Sequence, residues 1–155
     1  AESVAAHFKG VEHRLERVRV LRGVAYINSS IDSSPERTIN ALTVFPEKNI
    51  VLIAGGKDKG IPYDALGPSL ADKCKALVLT GPTADKIEAA LLATGRGGNI
   101  PVIRAADYPE AVKAASELAE EGDIVLCSPA STSFDMFRNF EERGNTFKAL
   151  VNELN

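Results

Sequence analysis

The chain has 155 residues, of which 45% are hydrophobic and 25% charged, and its formal net charge is -3. This is the composition of an ordinary globular domain with one core. A general nucleic-acid binder is disfavoured, because no surplus of lysine and arginine is available to neutralise a phosphate backbone. No apolar stretch approaches the length that spans a bilayer, so we expect no membrane partner.

Cys74 and Cys127 lie in apolar stretches, without a Cys-x-x-Cys spacing or a nearby histidine cluster. We interpret them as reduced, buried thiols, so neither a disulfide nor a zinc site is expected and a cytoplasmic location is favoured. Residues 1–10 lack an initiating methionine and a hydrophobic signal-peptide region. They are interpreted as a linker remnant from a missing upstream domain, and residues 11–155 as one domain.

The predicted elements begin with a β-hairpin, because the alternating segments 15–21 and 24–28 flank an Arg-Gly turn. Helices and apolar strands then alternate. Helices are predicted at 35–45, 63–75 with an interruption at Gly67-Pro68, 83–94, 108–121 and 134–155 with an interruption near Gly144, and strands at 50–54, 76–80, 100–105 and 123–127. This order predicts right-handed βαβ crossovers. The expected fold is a Rossmann-like three-layer α/β sandwich with a mostly parallel sheet and an antiparallel N-terminal hairpin at its edge.

The strand at 50–54 runs into Gly55-Gly-Lys-Asp-Lys-Gly60, and ligands of open α/β sheets bind at such strand ends. Two other strands end in the loops 28–34 and 128–133, so adjacent strands would bring all three loops to one rim. Lys59 is placed to pair with a carboxylate or phosphate, with Asp58 fixing its position. A helix beginning after residue 133 would add partial positive charge. Five hydroxyl groups are candidates to bind the same anion: Ser33, Ser128, Ser131, Thr132 and Ser133.

The residues alone leave alternatives open. The glycine-rich loop also fits a solvated connection, and serines before a helix are commonly caps. Arg14 fits either plain surface charge or a contact with a nucleotide. The loop does not fit a triphosphate cradle, because Ile61-Pro62 stands where Lys-Ser or Lys-Thr is required. No serine nucleophile is indicated, since no Gly-x-Ser-x-Gly elbow occurs, and we assign no catalytic residue and no metal ligand.

Four stretches together resemble the C-terminal domain of the Mur ligases. They are His13-Arg-Leu-Glu16, Tyr26-Ile-Asn28 with Ser30 and Ser33-Ser-Pro35, Gly55-Gly-Lys-Asp-Lys-Gly60, and Ser128-Pro-Ala-Ser-Thr-Ser-Phe-Asp-Met-Phe-Arg-Asn-Phe-Glu-Glu-Arg-Gly-Asn145. The resemblance covers the chain from His13 to Leu154. It is strongest to the members that add D-glutamate to UDP-N-acetylmuramoyl-L-alanine in peptidoglycan synthesis. It implies the last domain of a three-domain, ATP-dependent amide-forming ligase.

The resemblance also implies different roles for the central and C-terminal domains. The absent central domain would hold ATP and magnesium and form an acyl phosphate on the muramoyl-alanine carboxylate, which the amine of D-glutamate attacks. By motif match, D-glutamate would be bound by Lys59, Ser133, the backbone around Phe140, and Ser33. Arg14 would reach the nucleotide, and the Asn28 loop would border its ribose. The isolated domain is expected to be inactive, and the protein to be a monomer.

One position departs from the family pattern. Asn28-Ser29-Ser30 stands where the family usually has Asn-Asp-Ser, so an acidic contact toward the nucleotide is missing. Asp32 either compensates for it or only caps the loop. Two alternative functions are retained: the C-terminal domain of a Mur ligase that adds another amino acid, and a free-standing anion-binding module.

Overall fold

The structure, a computed structural model, describes residues 10–155. The proposed linker at 1–10 lies almost entirely outside the described residues. The strands are β1 (Glu16–Leu21), β2 (Val24–Asn28), β3 (Ile50–Ala54), β4 (Cys74–Leu79), β5 (Val102–Arg104) and β6 (Ile124–Cys127). The helices are α1 (Pro35–Leu42), α2 (Leu66–Lys73), α3 (Ala84–Leu92), α4 (Tyr108–Leu118) and α5 (Phe140–Asn152).

The strands form one sheet in the order β1-β2-β6-β3-β4-β5. The β1–β2 hairpin is antiparallel and lies at the edge, and the remaining pairs are parallel. The predicted fold class is therefore confirmed. Strands β3 and β6 are buried throughout, as expected for strands covered on both faces.

The helices cover the sheet in two layers. Alternate strand residues such as Leu52 and Leu77 pack with α1, α2 and α3 in one apolar cluster. Their neighbours Val51 and Val78 pack with α4 and α5 in the other. Cys74 and Cys127 are free and buried, one on each side of the sheet. Because burial disfavours the thiolate, it raises the pKa of Cys127 to about 11.

Two predicted helix interruptions are wrong. Gly67 and Pro68 lie inside the first turn of α2, where proline costs no hydrogen bond because the N–H groups there have no intrahelical partner. A Cβ at Gly67 would stand 2.2 Å from the carbonyl oxygen of Ala90, so the glycine allows α2 and α3 to approach closely. Gly144 likewise lies inside α5, which runs unbroken to Asn152.

The last helix also begins later than predicted. Residues 134–139 form turns, in which the N–H groups of Met136 and Phe137 donate to the carbonyl oxygen of Ser133 at 3.1 and 2.8 Å. Asn139 then caps α5 by accepting a hydrogen bond from the N–H of Glu142 at 2.8 Å. The segment between β6 and α5 is thus a long loop at the carboxyl edge of the sheet.

Candidate functional site

The candidate site lies where three neighbouring parallel strands end. Because β6 lies between β2 and β3, the loops 29–34, 128–133 and 55–60 are adjacent, which confirms that they share one rim. The chain leaves β3 toward α2 on one face and leaves β6 toward α5 on the other. The β6–β3 junction is therefore a topological switch point, where open α/β sheets bind their ligands.

Gly55 and Gly56 bring the loop after β3 close to its neighbours. Gly55 has a φ of 111°, and a Cβ there would stand 1.9 Å from the carbonyl oxygen of Thr80. A Cβ at Gly56 would stand 2.4 Å from the carbonyl oxygen of Thr132. That same oxygen accepts a hydrogen bond from the N–H of Lys57 at 3.0 Å. A side chain at Gly55 would push the loop after β3 away from the end of β4, and one at Gly56 would push it away from the loop after β6.

Asp32 joins the loop after β2 to the loop after β6. Its carboxylate accepts a hydrogen bond from Ser128 Oγ at 2.7 Å, and its carbonyl oxygen accepts one from the N–H of Ala130 at 2.9 Å. Ala130 has the left-handed φ of 58°, a strained conformation that these contacts hold. Burial raises the pKa of Asp32, and hydrogen bonds from Ser29 and Ser128 offset only part of that effect.

Four of the five candidate hydroxyls divide into two groups, and the fifth, that of Ser33, accepts a hydrogen bond from Arg143. Ser128 and Ser131 are buried and bonded within the protein: Ser131 Oγ lies 2.8 Å from both Tyr63 Oη and Thr83 Oγ1. They organise the loops. Thr132 Oγ1 is buried without a partner among residues 10–155, and within the same part of the chain no hydrogen bond involves Ser133 Oγ. These two hydroxyls are therefore free to form hydrogen bonds with a ligand.

Arg143, from α5, is buried beneath the loops. Its Nε donates to Ser30 Oγ at 2.9 Å, and Nη1 donates to the carbonyl oxygen of Ser131 at 2.7 Å. Nη2 donates to the carbonyl oxygen of Ser30 at 2.7 Å and to Ser33 Oγ at 3.2 Å. One side chain thus ties the loops after β2 and β6 to α5.

Phe140 is the first residue of α5. Its carbonyl oxygen accepts a hydrogen bond from Ser30 Oγ at 2.7 Å, and its ring meets the edge of the His13 ring at a centroid distance of 5.8 Å. The amino end of α5 is therefore fixed beside the loop after β2, where the helix dipole and the N–H groups that Asn139 does not cap favour an anion.

Lys59 is exposed and forms no ion pair with any of residues 10–155. The expectation that Asp58 fixes it is wrong, because Asp58 accepts hydrogen bonds from Lys86 Nζ at 2.9 Å and from the N–H of Gly60 at 2.8 Å. The bond from Lys86 is the main cause that lowers the pKa of Asp58. Asp58 thus anchors the loop to α3, while the Lys59 cation stays available to a ligand.

Arg14 borders an open cavity of about 380 Å³ between the segment that precedes β1 and helix α1. Ser29, Asp32 and Arg37 also line this cavity. Asn28 does not, since its buried side-chain amide bonds to His13 Nδ1 and Glu16 Oε1, each at 3.0 Å. The nucleotide contacts of Arg14 and of the Asn28 loop stay predictions.

Sequence reasoning missed Arg143, Tyr63 and Thr83, which organise the site from below. A signal for Arg143 was present, since it precedes the core residues Phe147 and Val151 by four and eight positions and so shares their helix face. For Tyr63 and Thr83 no local signal exists, because their partner Ser131 is distant in the chain.

Residues 10–155 contain no cluster of acidic, histidine and cysteine side chains arranged to hold a metal ion. Within the same range, no helix has the length and apolar character of a membrane span. The polar groups that the site does offer, a lysine, hydroxyls and a helix amino end, are suited to an anion.

Solved structures resemble this fold at low sequence identity. The UDP-N-acetylmuramate–alanine ligase of Thermotoga maritima matches with a TM-score of 0.62 at 18% identity, over 94% of this chain and 31% of that one. The murein peptide ligase of Psychrobacter arcticus matches with a TM-score of 0.63 at 14% identity, over 97% of this chain and 32% of that one. At these identities the matches establish the fold alone.

Two curated relatives are much more similar in sequence. A UDP-N-acetylmuramoylalanine–D-glutamate ligase of Acetivibrio thermocellus is 56% identical over 155 residues, and one of Symbiobacterium thermophilum is 56% identical over 151 residues. Each alignment covers 97% of this chain, which spans about a third of each relative, 33% and 32% respectively. The family model described as Mur ligase, glutamate ligase domain, matches residues 13–131, so the chain belongs to that family.

Proposed function

We propose that this chain is the domain that binds D-glutamate in an ATP-dependent ligase, which joins D-glutamate to UDP-N-acetylmuramoyl-L-alanine. The observation that carries the proposal is the 56% identity to ligases of that name along 97% of the chain. The rim geometry is consistent with it, because a free lysine, unbonded hydroxyls and a helix amino end suit the carboxylates of an amino acid.

In this proposal the chain binds and orients its substrate. Lys59 pairs with one carboxylate of D-glutamate, and Ser33, Ser133 and the backbone at Phe140 bind the other. The amine is thereby held toward the acyl phosphate of UDP-N-acetylmuramoyl-L-alanine. Its nitrogen forms the amide bond as the bond from carbon to phosphate oxygen breaks, and the amine loses a proton. Orientation of this kind accelerates a reaction without any catalytic side chain from this domain.

The nucleotide side is proposed to involve Arg14. Its exposed guanidinium beside the 380 Å³ cavity suits a phosphate of ATP, which supplies the phosphoryl group for carboxylate activation. Asp32 is unsuited to replace the family's usual acid at Ser29, because its carboxylate is buried and bonded to Ser128. Magnesium ligands are expected outside this domain. Monomeric state, cytoplasmic location and lack of a nucleic-acid partner are further proposals.

A chimera tests the function. Residues 11–155 replace the matching third of the Acetivibrio thermocellus ligase, and amide formation on UDP-N-acetylmuramoyl-L-alanine is measured with D-glutamate, L-lysine and diaminopimelate. We expect turnover with D-glutamate only, and none by residues 1–155 alone. Preference for a diamino acid would assign the chain to another Mur ligase. An inactive chimera that folds and still binds ATP would favour a free-standing anion-binding module.

A further inference from the structure

Arg143 is the largest fully buried side chain of the described residues, with 1% of its surface exposed. No carboxylate among residues 10–155 forms an ion pair with it. Its partners are two carbonyl oxygens and two hydroxyls, which are uncharged and accept four hydrogen bonds from the guanidinium. Burial raises the pKa of the Asp135 carboxyl and the charge of Arg143 offsets part of that effect, but the two groups form no ion pair. A buried cation without a contacting counter-ion is costly, so such an arrangement calls for an explanation.

The partners of Arg143 are the segments proposed to bind the substrate. The guanidinium bonds Ser33 directly and bonds the carbonyl of Ser131, two residues before Ser133. It also bonds Ser30, whose hydroxyl in turn donates to the carbonyl of Phe140. The planar guanidinium fixes several acceptors at once, which a lysine ammonium cannot reproduce.

We propose that Arg143 is the positioning residue of this site, an inference that rests on the proposed function. It sets Ser33 and Ser133 relative to the amino end of α5, and its charge, which no carboxylate contacts directly, favours a carboxylate bound above the loops. Arg143 acts through Ser30, Ser33 and the backbone at Ser131 and does not itself contact the substrate.

The test uses NMR to monitor the titration of residues 1–155 with D-glutamate. The wild type is compared with Arg143→Lys and Arg143→Gln. Arg138→Gln is the matched control, because Arg138 is an exposed arginine of the same segment whose ion pair is with Glu142. We expect the Kd for D-glutamate to rise at least about tenfold in both Arg143 variants, which corresponds to the loss of one to two charge-assisted hydrogen bonds. In the control the Kd should rise less than about twofold. Circular dichroism checks that each variant folds. Both Arg143 variants binding within twofold of the wild type would overturn the proposal.

Two further readouts cover the remaining outcomes. In the wild type, the Arg143 Nε–H resonance should shift when D-glutamate saturates the site, and an unmoved resonance would overturn the role even if no variant folds. If the wild type does not bind D-glutamate, the proposed function fails for this chain. The positioning role is then decided by the amide resonances of Ser33 and Ser133 in ligand-free Arg143→Lys, because unchanged resonances contradict it.

Discussion

Gly144 of α5 lies directly against the ring of His13. A Cβ built on Gly144 would stand 2.2 Å from His13 Nδ1 and 3.1 Å from Ser30 Cβ. The His13 ring is held on two sides, by Asn28 Nδ2 at 3.0 Å from Nδ1 and by the ring of Phe140. The glycine therefore sets how closely α5 approaches the loop after β2. It thereby also sets the position of the amino end of α5 relative to the strand-end loops.

Replacing Gly144 with alanine is predicted to destabilise the domain by about 1–2 kcal/mol. Glycine to alanine inside a helix gains up to about 1 kcal/mol, whereas overpacking a buried contact costs about 1–3 kcal/mol. The overpacking cost prevails because His13 is buried and is held by its contacts with Asn28 and Phe140. Urea unfolding measures the change. Gly98→Ala is the control, since no atom lies within 4 Å of a Cβ built there, and equal stability of the two variants would refute the prediction.

The sequence predicted the sheet well because its strands carry local signals. Ile50–Ala54 and Ile124–Cys127 are short apolar runs beside glycines, and both are buried strands in the structure. Glycine misled the helix predictions at Gly67 and Gly144 for one physical reason. A glycine that ends a helix and one that admits a neighbouring element look alike in sequence, and only the packed neighbour distinguishes them.

The site was predicted in part. The meeting of three strand-end loops at one rim followed from the order of helices and strands, whereas the binding role of Lys59 stays a prediction. The partner of Asp58 was not predicted, because Lys86 lies 28 positions away in the chain. Lys59, which directly follows Asp58, was chosen instead. Buried roles such as that of Ser131 depend on contacts between distant segments, which residue type alone does not specify.

Asp32 is predicted to make stability fall as pH rises from about 4. Burial raises its pKa in the folded protein, so the folded state binds this proton more tightly than the unfolded chain does. The contribution of Asp32 is therefore most favourable below the unfolded pKa of about 3.9 and is lost as pH rises through the raised folded pKa. Asp32→Asn should remove that slope, which urea unfolding between pH 3.5 and about 7 would measure.

The control for Asp32 is the exposed Asp64. Asp64→Asn should keep the wild-type pH dependence. The difference in unfolding free energy between Asp32→Asn and the wild type should grow with pH in favour of the variant. A difference that shrinks as pH rises would mean that the charged form of Asp32 is the stabilising one.

Arg19 is predicted to stabilise the end of α5. Its Nη1 donates to the carbonyl oxygens of Val151, in the last turn of α5, and of Leu154, just beyond the helix, each at 3.0 Å. The carbonyl of Val151 also accepts from the N–H of Leu154 at 3.1 Å, so Arg19 adds a cation to a helix end that is already closed by backbone bonds. Arg19→Gln should lower the unfolding free energy by about 1 kcal/mol. It should also speed hydrogen exchange in the last turn of α5 more than in β3. Uniform acceleration across both elements would contradict a local role.

Lys59→Ala is predicted to weaken D-glutamate binding with little effect on the fold. Lys59 is exposed and forms no ion pair within residues 10–155, so its removal leaves no buried group unpaired. A charge-assisted bond to a carboxylate is worth about 1.5–3 kcal/mol, which corresponds to a roughly 10- to 100-fold rise in the KM for D-glutamate. The KM for ATP should change less than about threefold in the same chimeric enzyme.

The matched control is Lys113→Ala, because Lys113 is an exposed lysine on α4. Because Lys59 is proposed to contact the substrate directly, an unchanged KM for D-glutamate would remove it from the site.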